Sequence, residues 1–309
     1  MNRFARATAL WFAPETPAER LAAVRVLVGA FAVVYLGLRL PHIASYVSFA
    51  SRHFAPVGVV SLLDGPPPAF AVYLVSGLAW LATLGFALGW RYRITGPAAG
   101  VLLLVTLSYA NSWGQIFHTE NALVLFVLVL GVTRAADAIS LDARRRDAPS
   151  PPHPRYGWPL RLLCLVVVAT YLLAGIAKIR WGGPGWLGGT VLRDTIAADS
   201  LRKILLGSSH SPIAESLLGQ AWLFRSLAVL TLVVELGAPL ALLHRRVAAV
   251  WVLAVIAFHL GVFALMAILF PFPLSGIPFA PFFRAERVTG WIGAKARGKR
   301  ARSGRDSSG

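Results

Sequence analysis

The sequence predicts an all-α fold, a polytopic transmembrane helical bundle of about seven spans with interfacial and re-entrant segments. Three observations predict it. Hydrophobic residues make up 57% of the chain and charged residues only 14%, with a mean hydropathy of +0.66. Several apolar runs reach roughly 20 residues, the length a helix needs to cross a hydrocarbon core of about 30 Å. Lipid cannot satisfy open backbone groups, so runs of that kind are helical. The net charge of +17 does not indicate nucleic-acid binding. Much of it sits in loops and tails beside the apolar runs, where Arg and Lys orient helices and attract anionic lipid. The single cysteine, Cys164, excludes an internal disulfide or a Cys-based metal centre and reads as small core filler.

Residues 1–20 carry Arg3, Arg6, Trp11 and Phe12, the composition of a short interfacial segment. The run that follows is too long for a signal peptide and lacks a clear cleavage site, so it is the first span, about Leu21–Leu40. Arg39 near its far end can snorkel. Arg25, about one turn in, can snorkel too or turn inward to a carboxylate, and snorkelling is the preferred reading. Pro66, Pro67 and Pro68 close the next loop and set up a second span, about Ala69–Gly89. A tight Trp-Arg-Tyr-Arg turn at 90–93 leads into a third, about Ile94–Tyr109. The polar stretch 111–121 contains no Lys or Arg and precedes a fourth span, about Asn121–Ala138. A basic, Pro-rich linker at 139–159 separates it from the fifth, about Leu160–Lys178. Residues 179–220 are Gly-rich, then amphipathic, and read as surface or half-inserted helices. The sixth span is about Trp222–Leu243 and the seventh about Val247–Phe270; the apolar, Pro-broken segment 270–283 reads as re-entrant. Residues 284–309 form a basic tail that is expected to be disordered.

Basic residues in the short loops place the amino terminus, the 90–93 turn, the 139–159 linker and Arg245-Arg246 on one side, the cytoplasm. Seven spans leave the basic tail outside, against that rule, unless 271–283 crosses back. Seven spans plus a re-entrant piece is the reading adopted. The expected location is a cell membrane, and the Arg-, Ala- and Gly-heavy composition suits a bacterial plasma membrane.

Chemistry concentrates at Leu172–Trp186. Lysine is used only at 178, 203, 295 and 299, so the Lys178 amine at the end of an apolar run stands out. Unlike Arg, a desolvated Lys can lose its proton and act as a base. The alternative is a Lys that snorkels beside Arg180. The topology puts His118, at the start of the fourth span, on the same outer side as Lys178, with Asn111, Trp113, Glu120 and Asn121 at that level. An imidazole and an amine there would form a proton-handling pair, or would be interfacial residues that never meet. Glu235 and His259 lie near the middle of their spans. Glu235 is expected on the order of 15–20 Å from the outer end of its span, out of reach of Lys178 unless the Gly-rich loop dips in. A pair with His259 or Arg25 that fixes helix packing is the simpler reading of Glu235. No Walker, HExxH, GxSxG or haem-attachment motif is present, and no set of metal ligands is expected.

The stretch YLLAGIAKIRWGGPGWLGGT resembles the AGxxKL…W..G signature of the HTTM (horizontally transferred transmembrane) domain, the membrane domain of vitamin K-dependent gamma-carboxylase and its bacterial relatives. RVLVGAF, FAPVGVVSLL, NSWGQIFHTENALVLF, VVELGAPLALL and AFHLGVFALMAILFPF agree in order, so that the resemblance covers about residues 20–283. It implies that Lys178 is the base that deprotonates a reduced, vitamin K-like quinone, that His118 and His259 are family histidines, and that oxygenation of the quinol drives carboxylation. Two departures stand out. Where the carboxylase has adjacent lysines, this chain has Ala177-Lys178. The carboxylase also carries a large substrate-holding domain after its membrane part, where this sequence has residues 284–309. The expectation is therefore a smaller substrate, or a soluble or membrane partner protein that supplies substrate binding. The alternative is a non-catalytic scaffold, or a carrier for lipid or quinone. A transporter is disfavoured, because no inverted repeat with broken helices is visible.

Overall fold

A computed structural model describes residues 3–114, 116, 118–145 and 150–287. These described residues divide into two compact units, those up to 163 together with 283–287, and those from 164 to 282. No strand occurs among the described residues; Thr16 and His153 form an isolated bridge.

The first unit opens with α1 (Arg3–Phe12), whose described side chains are mostly exposed. It continues with α2 (Ala18–Ser45), α3 (Ala69–Leu88), α4 (Tyr92–Ala110) and α5 (Asn121–Gly131), each packed on its neighbour in sequence. The proline run ends in Pro68, whose extended backbone starts α3, and Gly89 in the left-handed region stops it. Helices α4 and α5 cross at two glycines. A Cβ on Gly96 would lie 2.5 Å from the Gly131 carbonyl oxygen, so that only small residues allow these backbones to touch. The chain ends of this unit are tied together: Glu286 accepts from Arg20 Nε at 3.0 Å and Nη2 at 2.9 Å.

Arg25 departs from expectation. It neither snorkels nor meets a carboxylate; its exposure is 0%. Its Nη1 donates to the Phe86 and Ala87 carbonyls at 2.8 Å each, Nε to Ala135 at 3.1 Å and Nη2 to Ile139 at 2.5 Å. The reason lies in the helix ends. The last turn of α3 has carbonyls without intrahelical partners, and a five-donor guanidinium can satisfy several at once.

The boundary between the units falls within α6 (Pro154–Leu187). The second unit then contains α7 (Thr190–Leu205), α8 (Pro212–Leu217), α9 (Ala221–Leu236), α10 (Arg245–Met266), α11 (Pro271–Leu274) and a 3-10 turn at Ile277–Phe282. Ser211 caps α8 by accepting from the Ala214 N–H, and His244 caps α10 by accepting from Arg246. Lys203 donates to the Met266 carbonyl and pairs with Asp199 at 2.8 Å, which ties α7 to the end of α10.

Helices α2, α3, α4, α6 and α10 are long and apolar enough to cross a membrane. The fourth and sixth expected spans are shorter than the sequence suggests. Helix α5 has 11 residues and α9 has 16, followed by a 3-10 turn at Ala238–Leu242. At 1.5 Å per residue these are roughly 17 and 24 Å long, against a core of about 30 Å. Residues 190–217 form helices, as their amphipathic pattern suggests. The expected tail lies outside the described residues from 288 onward.

Candidate functional site

Tyr171, Gly175 and Lys178 occupy one face of α6, at spacings of four and three residues. Ala228, Leu232 and Glu235 do the same on α9. The two faces meet antiparallel. A Cβ on Gly175 would lie 3.0 Å from the Glu235 Cβ and 2.8 Å from a Leu236 methyl, so that glycine sets how closely the helices approach.

Lys178 Nζ donates to Glu235 Oε1 at 2.5 Å. This corrects the expected separation of the two, and the cause is the length of α6. The helix does not stop at Lys178. It runs on to Gly183, where φ 50 and ψ −140 break the helical geometry, and a last turn follows to Leu187. That continuation still tracks α9, with Trp186 Nε1 donating to the Ala228 carbonyl at 3.3 Å. From Ala228 to Glu235 is seven residues, roughly 10 Å along α9. Lys178 therefore lies inside the helix pair and not at its outer lip.

The amine has a second neighbour besides the carboxylate, the Trp186 ring, 5.3 Å from Nζ to its centroid. The Glu235 side chain is 3% exposed and that of Lys178 is 22% exposed. Glu235 Oε2 is buried and has no hydrogen-bond partner among the described residues. A buried carboxylate is tolerated only beside an opposite charge or a shared proton, and here the amine supplies both. The arrangement can move a proton between nitrogen and oxygen without moving net charge, and it leaves one side of the amine reachable.

Beside it lies an aromatic box. Tyr171 meets Trp251 edge-on at 5.3 Å and His259 edge-on at 5.9 Å, and Trp251 Nε1 donates to the Val234 carbonyl at 2.9 Å. His259 is 4% exposed and does not pair with Glu235; its Nδ1 lies 2.9 Å from the Val255 carbonyl oxygen, and Phe270 stands against its ring. An apolar cavity of about 210 Å³ opens among α7, α9 and α10, walled by residues such as Leu192, Thr231, Val234 and Phe258. Neither Lys178, Glu235 nor His259 lines it.

The remaining expected site residues belong to the first unit. Glu120 is buried, and its Oε1 accepts from the Tyr35 hydroxyl at 2.6 Å and lies 3.4 Å from Arg39 Nη2. Asn111 Nδ2 donates to Glu120 Oε2 at 3.3 Å. Burial pushes the Glu120 carboxyl up from its ordinary value, against the pull of Tyr35, Arg39 and Asn111. Arg25 is about three helical turns from Tyr35 and serves the other end of α2. His118 opens a 3-10 turn at His118–Glu120, and its side chain lies outside the described residues. His118 and Lys178 fall in different units. Sequence reasoning missed Tyr35, Tyr171 and Trp186 as partners. The spacings of Tyr35 to Arg39 and of Tyr171 to Lys178 carry that signal once a helix face is drawn.

Among the described residues no three His, Cys, Asp or Glu side chains gather as a metal site. Long apolar helices, one of which pairs its amine with a carboxylate on the shorter α9, define an integral membrane protein. The chain belongs to the HTTM domain family, whose model matches residues 12–286. No curated protein and no solved structure matches it.

Proposed function

We propose that this protein is a membrane-embedded enzyme of the carboxylase and quinol-oxygenating type, in which Lys178 removes a proton from a substrate hydroxyl. One observation carries the reading: the 2.5 Å pair of Lys178 and Glu235 with the amine still partly exposed. The site's residues suit a planar, hydroxyl-bearing ring such as a reduced quinone. They offer a partly exposed amine with an indole ring beside it. Such a group, when bound, supplies the hydroxyl proton and the reducing electrons that dioxygen accepts.

The chain's own part is proton handling. With the shared proton moved to Glu235 the Lys178 amine is neutral, and rotation about its Cε–Nζ bond turns its single electron pair from the carboxyl toward its exposed side. The substrate O–H bond breaks, its proton bonds to Nζ, and Glu235 holds the resulting ammonium in place. Arg180 cannot substitute, because a guanidinium keeps its proton and this one stacks on Trp181 at 5.2 Å. A second reading, a lipid or quinone carrier, is favoured by the apolar cavity among α7, α9 and α10, which the pair does not line.

Oxygen uptake by membranes supplied with a reduced naphthoquinone separates the two. Lys178→Ala and Lys178→Arg should each lower the rate by about a hundredfold or more, the usual contribution of a positioned base, with Glu235→Gln between them and wild type. Equal rates in all four, with quinone still retained, would leave the carrier.

A further inference from the structure

We infer that the turn between α3 and α4, together with the end of α5, binds an anionic glycerophospholipid through its phosphate. A cavity of about 480 Å³ opens there in the first unit. Its cations are Arg91, Arg93 and Arg134; its anions are Asp137 and Asp142. Both acids are already engaged. Asp142 accepts the backbone N–H of Arg91 at 3.0 Å and of Tyr92 at 2.8 Å, which caps α4 from a distant loop. Asp137 accepts from Arg134 Nε at 3.1 Å and from the Tyr156 hydroxyl at 2.8 Å. Arg91 and Arg93 are exposed and make no ion pair among the described residues. Two guanidinium groups that line one cavity are thus without a carboxylate partner among the described residues.

The rest of the wall is apolar and faces outward. Ile94 is 69% exposed and Val132 70%, and Pro97 of α4 lines the same cavity. Trp90, beside the turn, carries the Arg91 guanidinium 5.2 Å over its ring. An aromatic ring, spare guanidinium groups and exposed aliphatic side chains together fit a phosphate at the membrane boundary with an acyl chain running down from it. Inorganic phosphate has the same charge chemistry but no use for the apolar wall.

The backbone adds an independent argument. Arg91 sits at φ 45 and ψ 45, in the left-handed region that glycine enters without strain. The two Asp142 bonds flank this residue and hold it there. A turn built only for connection would carry glycine at this position; this one carries an arginine that lines the cavity.

The test uses the full chain purified in neutral detergent, titrated with phosphatidylglycerol, phosphatidylcholine or inorganic phosphate and followed by native mass spectrometry and thermal unfolding. Phosphatidylglycerol should bind about 10- to 30-fold more tightly than phosphatidylcholine, the effect of two cations near a headgroup. Replacing Arg91→Gln and Arg93→Gln together should abolish that preference. Arg91→Gly, which relieves the backbone, should weaken phosphatidylglycerol binding without lowering the unfolding temperature. Equal affinity for the two lipids in the wild type overturns the site, as does undiminished preference in a folded Arg91→Gly, Arg93→Gln variant. Inorganic phosphate that competes at the same concentration as the lipid assigns the pocket to free phosphate instead.

Discussion

At the scale of single residues, two cations show how far position in the sequence goes. Arg25 and Lys178 both stand out in apolar runs, and both invite a snorkelling reading. Neither snorkels, because each finds a partner that one-dimensional reading cannot see. For Arg25 the partners are four carbonyls, and carbonyls have no sequence signature. Arg25→Lys should therefore be costly despite conserving charge. An ammonium has three donors and no planar fork, so at least one carbonyl loses its partner in the interior, a loss of about 1–3 kcal/mol. Thermal unfolding in detergent should show a clear drop for Arg25→Lys; an unchanged midpoint would mean that these carbonyls do not need the guanidinium. For Lys178 the scarcity of lysine marks the residue, but the charge at 178 looks like a helix end, whereas α6 runs on to Leu187 and carries the amine to Glu235.

At the scale of elements, the all-helical class and most helix starts are legible. Proline before α3, the basic turn before α4 and the polar stretch before α5 all mark real boundaries. Helix ends are less legible. Apolar composition continues past Gly131 and Leu236, while the backbone turns aside at Thr133 and at the 3-10 segment after Gly237. Composition reports what a segment can sit in, not where its hydrogen bonds stop. The α6–α9 contact gives a direct test of the site geometry. Gly175→Ala adds a methyl where Leu236 and Glu235 already stand at 2.8 and 3.0 Å. It should cost about 1–3 kcal/mol of stability by overpacking. It should also lengthen the amine–carboxylate contact, so that oxygen uptake falls toward the Glu235→Gln level. Wild-type stability and rate together would show that α6 and α9 are not held this closely.

At the scale of the whole molecule, family membership was readable from ordered motifs spread along the chain, several of which span helix ends, as VVELGAPLALL and AFHLGVFALMAILFPF do at the ends of α9 and α10. The tie between the two ends of the first unit was not, since Arg20 and Glu286 lie 266 residues apart. Burial alone would raise the Glu286 carboxyl, but the hydrogen bonds from Arg20 and from its own backbone N–H, with the charges of Arg20 and Arg284, together outweigh it and hold the group below its ordinary value. A carboxyl lowered on folding contributes stability above its unfolded value of about 4.3 and loses that contribution as the pH falls through the folded value. The pair is partly exposed, 23% on each side, so its worth is at most about 1 kcal/mol. Wild type should unfold at a higher temperature than Glu286→Gln at about pH 6, and the gap should close by about pH 3. A gap that persists unchanged at acid pH would show that the carboxylate's charge is not what holds this end.

The Lys178–Glu235 pair also bears on how the chain is made. The amine emerges from the ribosome 57 residues ahead of its counter-charge, roughly 3 to 11 s at ordinary elongation rates. During that interval a cation near hydrocarbon has only water or headgroups to answer it. Deep insertion of this part of α6 is therefore expected to follow the synthesis of α9, whose Glu235 neutralises the amine.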